Sequence, residues 1–560
     1  MRRLAPIPLL LAACVSHAPT TLPAGSSVDR ARDAVAGPRT RAERTNYAET
    51  SRHAEVLAFL DSLHALAPGV VSLGEAGRTT QGRVIPYAIA ARPGIQTADD
   101  ARRTGRPIVY VQANIHAGEI EGKEALLALL RDLALDPKPN ALDSIVLVAV
   151  PIYNGDGNEK FAPQSVNRTE QNGPELVGER ANAQGLDLNR DYIKAEAPET
   201  RASLAMFARW DPDVFVDLHT TDGSYHGYAL TYAPSLSPAA GLEPYTRESL
   251  LPELRRRVRV RRGFETFDYG NFDSIYEERD ITSPTKQGWF TYDDRPRFGT
   301  NYYGIRGGVS VLSEAFSHDP LERRVKSTYA FVAELLSLSA ERGPDIQARR
   351  AALVARERRG TPDSIAIRGR LTTKPYSGPV LVEDLVRTGD SSVTQPGVPR
   401  GVRRTGHVHP QTMPVYDRFE SALDVTIPPM YLLDSSQAAA AELLRAHGID
   451  VRIAGTTGTM AGGDVDVGVF VVDSVAHAPR VFQGHHETTI GGHVTRRRIR
   501  VPNGTFVVFT NQPLGRLAAF LLEPMSDDGL TTWNLFDAAL APGREHPVRR
   551  VEHVYAWPTP

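Results

Sequence analysis

The stretch Ile108-Val-Tyr-Val-Gln-Ala-Asn-Ile-His116-Ala-Gly-Glu119 decides the fold, because an apolar run of strand composition passes directly into a compact H-x-x-E turn. Of the sixteen histidines, only His116 has a glutamate three residues on. That pairing is how a metal hydrolase places two of its three zinc ligands; catalytic zinc takes three protein ligands, mostly His and Glu, and keeps a fourth position open for water. A third ligand is therefore required. His219 in Asp213-Val-Phe-Val-Asp-Leu-His219-Thr-Thr meets the requirement, again directly after a strand-like run.

Two further segments fit the same chemistry. Gly308-Val-Ser-Val-Leu-Ser-Glu314 ends another short apolar run with a carboxylate, and metal-assisted hydrolysis needs one that takes a proton from the attacking water and returns it to the leaving group. In Gly185-Leu-Asp187-Leu-Asn189-Arg190, an amide and a planar guanidinium stand side by side, which suits clamping a carboxylate. Asp187 fits a different task, since a metal-binding His usually gives its second ring N–H to a carboxylate. The ligands and Glu314 each follow a run rich in Val, Ile or Leu, and open α/β sheets bind ligands beyond the carboxyl ends of their strands.

The order H-x-x-E, Asp-x-Asn-Arg, a His after a strand and a late Glu resembles the zinc carboxypeptidases of the carboxypeptidase A type, over roughly residues 47–338. The resemblance implies an α/β fold: a mixed sheet with helices on both faces, opened by an amphipathic helix at His53 and a hairpin around residues 73–90. It implies one zinc per chain on His116, Glu119 and His219, with Glu314 as general base. It further implies Asn189 and Arg190 on the terminal carboxylate of a peptide substrate, and Asp187 orienting His116. The family's Asn-Pro-Asp-Gly segment is here Tyr153-Asn-Gly-Asp-Gly157, followed by a long polar stretch. An arginine from that stretch should stabilise the oxyanion: Arg168 is the first choice and Arg180 the alternative. For the family's mobile tyrosine, Tyr292, Tyr302 and Tyr303 compete.

Met1-Arg-Arg followed by a short apolar stretch and Leu11-Ala-Ala-Cys14 resembles a bacterial lipobox, too short to span a bilayer as a mature helix. The expectation is an exported lipoprotein, held at the membrane through lipid on Cys14 alone and facing the periplasm or the outer membrane face. Cys14 is the only cysteine, so disulfides cannot stabilise the exported protein and its cores must suffice. The formal net charge of -2 offers no case for nucleic-acid binding, and no stretch after residue 20 reads as a transmembrane helix.

The expected organisation is a signal peptide (1–14), a flexible tether (15–44) and a catalytic domain (45–340). A linker helix with a β-rich segment (341–427) and a small α/β accessory domain (428–560) follow. A boundary is expected at Glu341-Arg-Gly-Pro344. His485, His486, Glu487 and His493 could hold a metal but read as surface residues, because no general base accompanies them. The leading expectation is a zinc peptidase that removes C-terminal residues. The alternatives are an amidohydrolase of acyl-amino acids or murein peptides on the same scaffold, and a non-catalytic binding lipoprotein, which intact Glu314 argues against.

Overall fold

The computed structural model describes residues 37–272, 281–283, 285–359, 363–455 and 462–556. The lipobox and Cys14 lie outside the described residues. An eight-stranded mixed sheet is built from β1 (Val71–Arg78), β2 (Val84–Ala90), β3 (Ile108–Ala113), β4 (Val146–Val150), β5 (Val214–Thr220), β6 (Leu230–Pro234), β7 (Thr266–Asp268) and β8 (Val309–Ala315). Its order is β1-β2-β4-β3-β5-β8-β6-β7. β4, β3, β5 and β8 form the parallel centre; β1 with β2, β2 with β4, and β6 with β8 pair antiparallel, and the edge strand β7 runs parallel to β6.

Every residue of β3, β5 and β8 is buried, as expected of central parallel strands covered on both faces. Successive side chains go to opposite sides. Val109 and Val111 enter one core, while Ile108 and Tyr110 enter the other. The first of these cores is closed by α1 (His53–Leu66), α2 (Glu121–Leu135) and α4 (Leu321–Arg358). α1 contributes Val56, Phe59, Leu60 and Leu63, an i, i+3, i+4, i+7 stripe, each buried apolar side chain being worth about 1.5–3 kcal/mol. The opposite face carries α3 (Pro198–Trp210) and, packed into the same core, Tyr431, Leu444 and Leu517 from the C-terminal third.

After α4 come a strand pair (Ser364–Leu371 with Phe419–Thr426), two strands (Tyr376–Arg387 and Val402–Tyr416) that form a three-stranded sheet with Trp289–Phe290 from before α4, and a six-stranded sheet containing Met430–Leu433, with helices Ala438–Ala446 and Gly515–Leu522 beside it. Two expectations need correction. The chain already packs before residue 44: Thr40 caps a short helix, Ala42 is fully buried, and Arg131 donates to the Pro38 carbonyl. The break at Glu341–Pro344 is absent, because α4 runs through it with Pro344 inside. Burial overrides the local helix-breaking preference there: Gly343 and Ile346 are both buried, and a Cβ on Gly343 would meet the Pro107 ring at 2.6 Å.

Candidate active site

Because β3, β5 and β8 are parallel, their carboxyl ends share one edge of the sheet. Glu314 lies opposite His219 in the β8–β5 register, and β3 is in register with β5 through Ala113 and Leu218. After Ala113, Asn114 takes a left-handed conformation with φ of 65°, one that Asn tolerates better than most residues, and its side chain donates to the Ala117 carbonyl. This turns the chain sharply into His116-Ala-Gly-Glu119. Gly118 is required by close approach: a Cβ there would sit 2.7 Å from Arg168 Cγ and 2.9 Å from the Gly178 carbonyl.

His116, Glu119 and His219 are buried and offer one donor atom each within 4.8 Å of one another. Both imidazoles present Nδ1 to the glutamate, His116 at 2.9 Å from Oε1 and His219 at 2.9 Å from Oε2. Their Nε2 atoms are taken by other carboxylates: His116 by Asp187 at 2.9 Å and His219 by Asp217 at 3.2 Å. A carboxylate on the far nitrogen fixes the tautomer that leaves Nδ1 for a metal. Two imidazole nitrogens and a carboxylate, with both far nitrogens so held, form a donor set suited to zinc.

Electrostatics point the same way. Burial alone would raise the Glu119 carboxyl, but His116, Arg168 and His219 outweigh it and hold it well below its ordinary range. Burial disfavours charge on His219, yet Asp217 and Glu119 overcome this and raise its pKa well above 6.5. The pocket thus favours positive charge beside Glu119. Glu314 differs. Burial, and then the negative charges of Glu119 and Asp222, push its carboxyl well above the usual range against the pull of His219. A raised pKa is the property of a carboxylate that must both accept and return a proton near neutrality.

Arg168 pairs with Glu119. It is 5% exposed and sits behind Glu119, with Nη1 at 2.9 Å from Oε1 and Nη2 donating to the carbonyls of Thr220 and Thr221. Those contacts commit it to the protein. Arg180, the alternative, is 38% exposed at the same carboxylate, 3.4 Å from Glu119 Oε1, with Nε donating to Asp187 at 3.0 Å. Asn189 lies beside the second imidazole, its Oδ1 accepting from the Gly299 amide at 2.8 Å and its amide nitrogen 3.5 Å from His219 Nε2. Arg190 is held by the Asn189 carbonyl at 2.9 Å and stacks 3.9 Å over the Phe298 ring.

The three tyrosines separate. Tyr302 and Tyr303 are core residues: Tyr302 donates to His447 and Tyr303 to the Pro212 carbonyl. Tyr292 stands at the site, where burial and the charges of Glu314 and Asp217 raise its pKa well above 10, and it packs edge-on against Tyr269.

Sequence reasoning missed two residues. Asp217 could have been found, since it precedes His219 by two positions on one strand and so shares its face. Gln483 carried no signal: it comes from the C-terminal third, and its Oε1 accepts from the Asp187 amide at 2.9 Å. The residues around it do not gather into a metal site. His485 binds Asn534 and Glu196, His486 the Ala478 carbonyl, Glu487 pairs with Arg297, and His493 binds Asp473.

Residues 56–278 match the zinc carboxypeptidase family. That segment holds the His-Glu-His cluster and ends before Glu314. Carboxypeptidase 2 of Trichophyton tonsurans is 23% identical over 488 residues, covering 85% of this chain and 82% of the relative, so the likeness extends well beyond residue 278. Carboxypeptidase D of Homo sapiens is 30% identical over 151 residues, 26% of this chain and 10% of that protein. The crystal structure of a metallo-carboxypeptidase from Burkholderia cenocepacia superposes with a TM-score of 0.37 at 22% identity, over 51% of this chain and 68% of that one. The segment that carries His116, Glu119 and His219 is thus similar to the zinc carboxypeptidases, and the enzyme is a zinc-dependent hydrolase of peptide bonds.

Proposed function

We propose that the enzyme is an exopeptidase that releases the C-terminal residue of a peptide with a free carboxylate. The observation that carries this reading is Arg190, a guanidinium stacked on Phe298 and set one residue from Asn189, which itself lies beside His219. A fixed fork of this kind binds a carboxylate through paired, charge-assisted hydrogen bonds that a neutral amide cannot reproduce.

His116, Glu119 and His219 would hold the zinc, which when bound polarises the scissile carbonyl and acidifies water toward neutral pH. Asp187 and Asp217 keep the imidazoles turned with Nδ1 toward Glu119. Arg168 anchors Glu119 from behind. Glu314 takes the proton of the attacking water and passes it to the leaving amine. Arg180, rather than Arg168, donates to the oxyanion of the attacked carbonyl, because it alone of the pair is open to the site. The sequence Leu11-Ala-Ala-Cys14 supports a second proposal, that the enzyme is exported and works at a membrane surface on a lipid anchor.

Paired peptides that differ only in a free or amidated C-terminus test the reading. Amidation should suppress cleavage, and Arg190→Ala should narrow the difference by slowing the free peptide. Equal cleavage of both peptides, at internal bonds, would remove the exopeptidase assignment.

A further inference from the structure

Far from the catalytic residues in sequence, the hairpin of Tyr376–Arg387 and Val402–Tyr416 carries Asp384, His407 and His409, whose donor atoms lie within 4.8 Å of one another. His407 and His409 share one strand face by their two-residue spacing, and their rings stack with centroids 5.5 Å apart. Asp384 reaches them from the partner strand through an irregularity. Between Glu383 and Leu385 the register slips, while the opposite strand covers Arg404 to Val408 with Gly406 in a left-handed conformation, φ 72°. The slip is itself ordered: Thr405 donates its hydroxyl to the Asp384 carbonyl at 2.9 Å and accepts from the His407 amide at 3.0 Å. Bulges re-aim side chains, and this one brings a carboxylate and two imidazoles together.

One atom in the group is left unsatisfied. His409 Nδ1 is buried with no hydrogen-bond partner; the nearest carboxylate oxygen, Asp384 Oδ1, is 3.6 Å away, too far for a hydrogen bond. Two donors bound tetrahedrally to one zinc ion would lie about 3.3 Å apart, given the usual zinc–ligand distances. The other carboxylate oxygen meets His407 Nδ1 at 2.6 Å, and His407 is two-thirds exposed, so a cation and its waters have access.

We propose that Asp384, His407 and His409 form a second, non-catalytic site for a divalent transition-metal cation of the zinc type, which fastens the bulge. Nitrogen-rich ligation favours such ions over magnesium or calcium, which take oxygen ligands. The bulge is worth fastening. Arg404 at its start pairs with Glu383 and donates to the His318 carbonyl, and His318 stacks 3.9 Å from Tyr225, in the loop that leaves the His219 strand.

The test is zinc titration of chelator-stripped full-length protein against a chromophoric competitor. Wild type should take up two equivalents. His116→Ala/His219→Ala should keep only the weaker, and His407→Ala or Asp384→Asn only the tighter. Magnesium should not compete for the weaker equivalent. A single equivalent in wild type, or a second one that survives His407→Ala/His409→Ala, would overturn the proposal. Far-UV circular dichroism distinguishes loss of the site from loss of the fold.

Discussion

Gln483 accepts a hydrogen bond from the backbone amide of Asp187 at 2.9 Å across 296 positions of sequence, so a residue of the C-terminal third steadies the turn that holds His116. Gln483 stands in a left-handed conformation, φ 50°, costly for a residue that is neither Gly nor Asn. Gln483→Ala should lower kcat/KM by about fivefold, the worth of one hydrogen bond of about 1 kcal/mol, with zinc content unchanged. Wild-type kinetics in that variant would deny the contact a role in positioning.

Arg168 and Arg180 both touch Glu119, and their substitutions should fail differently. Arg180→Ala should reduce kcat by about 10²–10³ and keep zinc, the effect of removing one oxyanion donor. Arg168→Ala should weaken zinc retention, because a buried ligand carboxylate loses its cationic partner. Metal analysis beside steady-state kinetics separates the two, and the reverse pattern would return the oxyanion to Arg168.

With Glu314 as the proposed base, Glu314→Gln, which preserves shape, should cost at least about 10²–10⁴ in kcat without loss of zinc. Near-normal turnover would assign the base elsewhere.

The joint between the two halves of the chain should be acid-sensitive. His447 Nε2 donates to the Ile193 carbonyl and Nδ1 accepts from the Tyr302 hydroxyl, so the ring is neutral, and burial depresses its pKa from 6.5 to about 4. Unfolded, the ring protonates near 6.5. The stability it contributes is therefore complete above that pH and falls away between about 6.5 and 4, by roughly 3 kcal/mol at most. Urea midpoints at pH 7 and pH 4.5 should converge in His447→Gln relative to wild type; the same drop in both proteins would exclude this ring as the cause.

The proposed lipid attachment at Cys14 predicts that Cys14→Ser leaves the protein unlabelled by a fatty-acid probe and releases it from membranes or leaves it unprocessed. Equal labelling of variant and wild type would end the anchor hypothesis.

The parts of the site that sequence made legible lie at strand ends, where an apolar run and one polar residue after it fix both backbone and direction. His116, Glu119 and His219 meet for that reason. Legibility fails where tertiary contacts set the path of the chain. Residues 155–185 hold little regular structure, so nothing local ranks Arg168 against Arg180; the difference arises because the Arg168 stem packs against Gly118 while Arg180 is held by Asp187. Tyr292, Tyr302 and Tyr303 share a short segment, and only the helix Gly299–Ile305 turns the latter two into the core. Likewise Pro344 reads as a stop, but the burial of its neighbours keeps the helix running.

The core on the α3 side contains Phe207, Tyr302, Tyr431, Leu444 and Leu517 as one cluster, so the family-matched segment and the unit that folds are different lengths of chain. A gene trimmed to residues 56–278 would encode the ligands but leave a broad oily surface where the missing third had packed, and would deliver aggregate in place of a miniature enzyme. For anyone grafting or shuffling this catalyst, the transferable cassette is nearly the whole sequence.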